Sequence, residues 1–189
     1  MDAERDLKWK LLSSRKLFSE TWMNIRIDTC EKPDGTVVTP YYVYEFPEWV
    51  AALAITADGK VILEKQYRHA LGLTCWEIPG GCVDKTDADY ETAIKRELLE
   101  ETGYQFSQLV YLGDTSSNPS TNTNLMHMFL ATGGTYLQSQ QLDEGEDIDI
   151  VLVEMDAFIQ MLREDRFIQS MHLAVIYKAL EKLGRLSIA

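Results

Sequence analysis

Three cysteines in 189 residues, Cys30, Cys75 and Cys82, do not make a disulfide framework, and their spacing is not that of a zinc site. An odd, scattered set of this kind sets the expectation of a reducing, cytoplasmic setting. No apolar run reaches the ~18 residues that a membrane span needs. The stretch from Met1 to Lys10 is charged and lacks the apolar centre of a secretion signal. Positive charge is scarce, with 18 Lys and Arg against 30 Asp and Glu and a formal net charge of −12. Nucleic-acid backbones are bound by basic surfaces, so nucleic acid is excluded as an expected partner. Internal repeats are absent as well. The remaining composition, 46% apolar, fits one compact domain.

What is present is concentrated between Trp76 and Tyr104. A short apolar strand end, Trp76-Glu77-Ile78-Pro79, leads to Gly80-Gly81 and then to an acidic loop from Asp84 to Asp89. Tyr90, Ala93, Ile94, Glu97, Leu98 and Glu101 then follow the spacing of one helical side. Asp87 or Asp89 can accept from the free amides at the start of this helix, and Thr102-Gly103 stops it. At about 100° per residue, Glu97, Glu100 and Glu101 share roughly a third of the helix circumference. Like charges so placed repel, by a few tenths of a kcal/mol (~0.2–0.5) for each i, i+4 pair. A cluster of hard oxygen ligands would suit Mg²⁺ or Mn²⁺, which would cancel that repulsion. Without the glycines and the loop, the same acids would read as a solvated face.

The combination resembles the signature box of the Nudix hydrolases: glycine, an acidic loop, then Arg-Glu-apolar-any-Glu-Glu-any-Gly-apolar. Gly81 is the opening glycine, and Arg96, Glu97, Leu98, Glu100, Glu101, Gly103 and Tyr104 match the second half. The resemblance implies metal ligation by Glu97, Glu100 and Glu101, with the Gly80 carbonyl as a further ligand, and an arginine, Arg96, that braces the loop through an upstream acid. Here the loop is one residue longer than the family's and the usual glutamate is absent, so Asp87 or Asp89 stands in as the brace.

Around the box, Met1 to Lys16 reads as a polar lead-in. Met23–Asp28 and Thr36–Tyr44 read as a hairpin across Lys32-Pro33-Asp34-Gly35, with Pro40 at an edge or bulge. Val50–Thr56 and Val61–Tyr67 form a second hairpin around Asp58-Gly59. Leu109–Leu112, Leu125–Ala131 and Ile148–Val153 are strands, and Asp114–Asn124 is a polar loop of the kind that carries specificity. Two helices close the chain, capped by Asp156 and by Ser170, with Gly184 ending the second. His127 reads as a packed or surface histidine.

The resemblance implies an α/β/α sandwich with a mixed sheet and an N-terminal β-hairpin extension, residues 1–48 forming the extension and 49–189 the hydrolase domain. It is closest in pattern to the branch that cleaves ADP-ribose. For that branch it implies a homodimer built with the N-terminal strands, and adenine stacking by Trp49 or, as the weaker candidate, Trp22. It also implies phosphate contact by Arg68, a substrate-loop proline at Pro119, and a general base in the Asp143–Asp149 loop, Glu144 ahead of Glu146. Glu101 is expected to act in catalysis as well as in metal binding. The substrate would be a small nucleotide such as ADP-ribose, cleaved with Mg²⁺. Rival readings are another Nudix substrate, such as a GDP-sugar, a dinucleoside polyphosphate or a nucleoside triphosphate, and a sensor domain that binds a nucleotide uncut. Sensors often lose the glutamates, and all three remain here.

Overall fold

The computed structural model describes residues 5–21 and 23–186. They divide into two units, one of residues up to 46 with 118–124, the other of 47–117 with the chain from 125 onward.

The first unit is an antiparallel sheet of three strands in the order β1-β2-β3: β1 (Lys10–Ser19), β2 (Asn24–Glu31) and β3 (Val37–Glu45). The β2–β3 turn closes as its residues dictate: the Gly35 amide, at φ +83°, donates to the Lys32 carbonyl at 2.9 Å. Pro40 lies on the edge strand β3, where the pairing with β2 shifts register between Asp28 and Cys30. Strand β1 corrects the expected polar lead-in. Its apolar residues Leu11, Leu12, Leu17 and Phe18 lack strict alternation, all are exposed, and its register with β2 slips twice, so no periodic signal marks it. Residues 118–124 join this unit through Tyr44, whose amide donates to the Thr121 carbonyl at 2.7 Å. Trp22 lies outside the described residues.

The second unit is an α/β/α sandwich. Its eight-stranded mixed sheet runs β11-β5-β4-β10-β8, with β6 on β5, β7 on β4 and β9 on β10. The strands are β4 (Trp49–Thr56), β5 (Val61–Arg68), β6 (Leu73–Glu77), β7 (Gly80–Cys82), β8 (Tyr104–Gln105), β9 (Gln108–Thr115), β10 (Met126–Tyr136) and β11 (Ile148–Val153). Strands β4 and β10 pair in parallel, Met126 opposite Trp49 through Ala131 opposite Ala54, while the other pairs are antiparallel. The helices are α1 (Tyr90–Thr102), α2 (Met155–Arg163) and α3 (Ser170–Lys182).

Strand alternation sorts the core into two layers. Val50, Ala52 and Ala54 of β4 and Ile62 of β5 pack on Ala93, Ile94 and Leu98 of α1. Ala51, Leu53 and Ile55, with Val61 and Leu63, pack on Phe158 and Leu162 of α2 and Val175, Ile176 and Leu180 of α3. Burial on both faces explains why β4 reads as an unbroken apolar run. The closing helices lie where expected but start differently. Glu154 and Gln169 occupy the N-cap positions without side-chain bonds, so Asp156 sits in the first turn of α2 and Ser170 is the first residue of α3. No helix among the described residues is long and apolar enough to cross a membrane.

Candidate active site

Helix α1 and the loop before it build the site from local signals. Asp89, in extended backbone, caps α1 by accepting from the Thr92 amide at 2.7 Å. Gly103 closes it in the left-handed region, its amide donating to the Leu99 carbonyl. Asp87, nine residues before Arg96, takes the other role. Arg96 Nε and Nη2 donate to its two oxygens at 3.2 and 2.9 Å, and Nη2 also donates to the Cys82 carbonyl at 2.9 Å. One guanidinium thus ties both ends of the loop. The ion pair holds the Asp87 carboxyl below its ordinary range.

The remaining Arg96 nitrogen, Nη1, donates to Glu97 Oε1 and Glu100 Oε2, both at 3.0 Å. Glu101 Oε2 accepts from the Gly80 amide at 2.8 Å. Glu97 and Glu101 are buried, whereas the Glu100 side chain is 39% exposed. Burial pushes the Glu97 carboxyl up to about 7 against the pull of Arg96, and it pushes Glu101 well above the usual range, with Glu64 and Glu97 adding repulsion. Glu64 was not singled out from sequence. It lies on β5, is 2% exposed, and its Oε1 has no hydrogen-bond partner. Its carboxyl is driven up to about 8, first by burial and then by Glu77. Among the described residues no three of these side chains already stand in ligand geometry, since Arg96 holds Glu97 and Glu100 and the loop amide holds Glu101. The donor set itself fits a divalent cation: hard oxygens, under-neutralised, with one buried acceptor unused.

Comparison with known proteins decides the family. A model described as NUDIX domain matches residues 47–171, and one for the nucleoside diphosphate sugar hydrolase N-terminal domain matches residues 9–44. The chain belongs to the Nudix family. With those two domains in sequence it is a Nudix pyrophosphatase, a hydrolase of diphosphate bonds, in a family that generally uses divalent metal ions. The methanol dehydrogenase activator of Bacillus methanolicus is 30% identical over 162 residues, 85% of this chain and 86% of its own. The ADP-ribose pyrophosphatase of Bacillus subtilis (strain 168) is 30% identical over 159 residues, 84% of this chain and 85% of its own. A crystal structure of an ADP compounds hydrolase has the same fold, at a TM-score of 0.80 and 19% identity, covering 97% of this chain and 100% of that one.

Around this Nudix centre the other sequence candidates separate. Glu146 of the 143–149 loop is half-buried, and its charge acts on Glu64, Glu97 and Glu101. Glu144, preferred from sequence, is exposed. A tight turn sets this difference in exposure. The Glu146 amide donates to the Asp143 carbonyl at 2.9 Å and the Asp143 amide to Glu146 Oε2 at 3.0 Å, which leaves Glu144 and Gly145 at the exposed tip. Arg68 forms a two-bond pair with Glu77, Nε to Oε1 at 2.8 Å and Nη2 to Oε2 at 2.6 Å. Glu77 is buried and Arg68 half-exposed, and Glu77 takes the Nε–Nη2 edge of the guanidinium. Trp49 is half-buried at the start of β4 and packs against the α2–α3 side of the core. Pro119 is exposed in the 118–124 segment of the first unit.

Two histidines anchor the frame. His127 is buried and stacked on Tyr90, ring centroids 3.4 Å apart, with Nδ1 2.6 Å from Asp114 Oδ1 and Nε2 3.1 Å from Glu48 Oε2. The Glu48 carbonyl accepts from the Val83 amide, so this cluster holds the acidic loop at its start. His172 of α3 accepts through Nδ1 from the Ile78 amide at 3.4 Å, just ahead of the glycine pair. Burial holds its imidazole down at about 4. Between that value and the ordinary ~6.5 the unfolded chain takes a proton that the folded chain refuses. Stability is therefore complete above about pH 6.5 and is lost as the pH falls toward 4, by up to about 3 kcal/mol from this group. Denaturant titrations at pH 7 and 5 should show the wild type falling by about 2 kcal/mol relative to His172→Gln, the raised carboxylates Glu64, Glu97 and Glu101 being common to both proteins. Equal losses in the two proteins would remove His172 from the account.

Proposed function

We propose that this Nudix pyrophosphatase hydrolyses ADP-ribose or a related nucleotide sugar to AMP and a sugar phosphate, with Mg²⁺ held by Glu97, Glu100 and Glu101. The observation that carries the reading is the pair of buried helix carboxylates, Glu97 and Glu101, pushed up in pKa beside a further buried acid and neutralised in part only by Arg96. Folding such a cluster is costly unless a cation offsets its repulsion.

When bound, Mg²⁺ polarises the phosphoryl oxygens, acidifies the attacking water and neutralises charge on the leaving phosphate. Arg96 holds the loop through Asp87 and Cys82, so Gly80 and Gly81 stay against the helix carboxylates. Glu146 takes the proton of the attacking water as the new P–O bond forms and the bond to the bridging oxygen breaks. Arg68, fixed in orientation by Glu77, offers its other edge to the diphosphate. Trp49 and Pro119 contribute to nucleotide binding in this reading. The protein works in the cytoplasm as a homodimer. Supporting the dimer, edge strand β1 exposes Leu11, Leu12, Leu17 and Phe18, an apolar edge of the kind that a second chain covers.

The test is product analysis with Mg²⁺ against ADP-ribose, ADP-glucose, GDP-mannose, a dinucleoside tetraphosphate and dGTP. Metal-dependent release of AMP and ribose 5-phosphate, fastest from ADP-ribose, is expected. A clear preference for GDP-mannose or dGTP would keep the chemistry and replace the substrate. Tight nucleotide binding with no turnover would make the protein a sensor.

A further inference from the structure

Glu64 stands apart from the helix glutamates in sequence and meets them in space. Along β5 the side chains alternate: Val61 and Leu63 pack toward α2 and α3, whereas Ile62 packs toward α1. Glu64, two residues after Ile62, therefore points to the α1 side. Its cross-strand partner on β6 is Glu77, and its charge acts on Glu101. A carboxylate at 2% exposure with an unpaired Oε1 is unusual, because an orphaned buried acceptor costs about 1–3 kcal/mol. The Arg68 guanidinium is committed by two bonds to Glu77 and gives Glu64 no hydrogen bond. The nearby acids Glu77 and Glu146 add negative charge, while the Glu101 carboxyl lies within hydrogen-bonding reach of the Glu64 side chain, close enough for the two to share one ion. Arg68 acts on Glu64 only through its charge at a distance, so the position is left short of a directly bound cation.

We propose that Glu64 is a ligand of the cation site, holding a divalent ion jointly with Glu101 on the sheet side of the helix glutamates. This rests on reading Glu97, Glu100 and Glu101 as cation ligands. It adds a strand carboxylate that lies outside the signature box, supplied by a different element. The unpaired Oε1 provides the vacant coordination point, and the Glu101 carboxylate provides the second charge.

The experiment is Mn²⁺ binding to the full chain without substrate, followed by the electron paramagnetic resonance signal of free Mn²⁺. Wild type, Glu64→Gln and Glu97→Gln are compared, with circular dichroism and thermal melting in chelator as controls. Glu64→Gln is expected to fold, to melt no lower than wild type in chelator, and to lose one bound Mn²⁺ or bind it at least tenfold more weakly. Unchanged stoichiometry with affinity within twofold of wild type would overturn the proposal. If Glu97→Gln still lost Mn²⁺ in that case, the helix ligands would stand and only Glu64 would be dismissed. A wild type that binds no Mn²⁺ would overturn both readings. Should the Gln variant fail to fold, Glu64→Asp, which keeps the charge but withdraws it by one methylene, is judged by the same tenfold and twofold limits.

Discussion

Glu101→Gln should lower turnover by roughly two to four orders of magnitude while the protein stays folded. The amide is the same size as the carboxylate and still offers an oxygen to the Gly80 amide, so the loop contact at 2.8 Å survives. What disappears is the charge. Glu101 is 4% exposed and sits beside Glu64 and Glu97, so its carboxylate is tolerated only with a cation close by. Removing one ligand from a metal that stabilises phosphoryl-transfer charge is worth about 3–5 kcal/mol of barrier. The same change relieves a buried repulsion, so the variant should melt at or above wild type in chelator and gain less from added Mg²⁺. Turnover within tenfold of wild type, on a folded variant, would end the assignment of Glu101 as a ligand.

The two glycines of the loop should fail in opposite ways. At Gly80, φ is +154° and an added Cβ would lie 2.2 Å from the Val50 carbonyl oxygen and 2.6 Å from the Ala51 Cα. These are backbone atoms of a central strand and cannot give. Gly80→Ala should therefore cost roughly 3–5 kcal/mol, overpacking added to backbone strain, and lower Tm by about 10 °C. At Gly81 the added Cβ would meet the carboxylate of Glu97 at 2.6–2.7 Å, the far end of a flexible side chain. Gly81→Ala should fold with a nearly unchanged Tm, displace Glu97 and reduce turnover ~100-fold, the scale set by a misplacement of about 1 Å in a catalytic group. Melting curves and turnover on the two variants separate these outcomes. If Gly81→Ala lost stability as Gly80→Ala does, Glu97 would be rigidly packed and unable to swing to a cation.

The helix of the site was legible because its signals are short-range. Asp89 as cap, Gly103 as stop, and the i, i+3 and i+4 spacing of Ala93, Ile94, Glu97, Leu98 and Glu101 all act within a turn or two of the chain. Strand β11, at Ile148–Val153, was equally plain, and β4 was legible as an apolar run because both of its faces are covered. Tertiary structure made the choices that depend on what covers a residue from elsewhere. It gave Asp87 to Arg96 and left Asp89 as the cap. Through a turn that sequence could not specify, it brought Glu146 rather than Glu144 to the acid cluster. It paired β1, whose apolar residues have no period, along the edge of β2. Above all it buried Glu64 and Glu77 on neighbouring strands. A glutamate in a strand is an ordinary solvent-facing residue until a helix is laid over that face. Its burial, and with it the charge deficit that a cation would fill, exists only once α1 and the sheet are packed together.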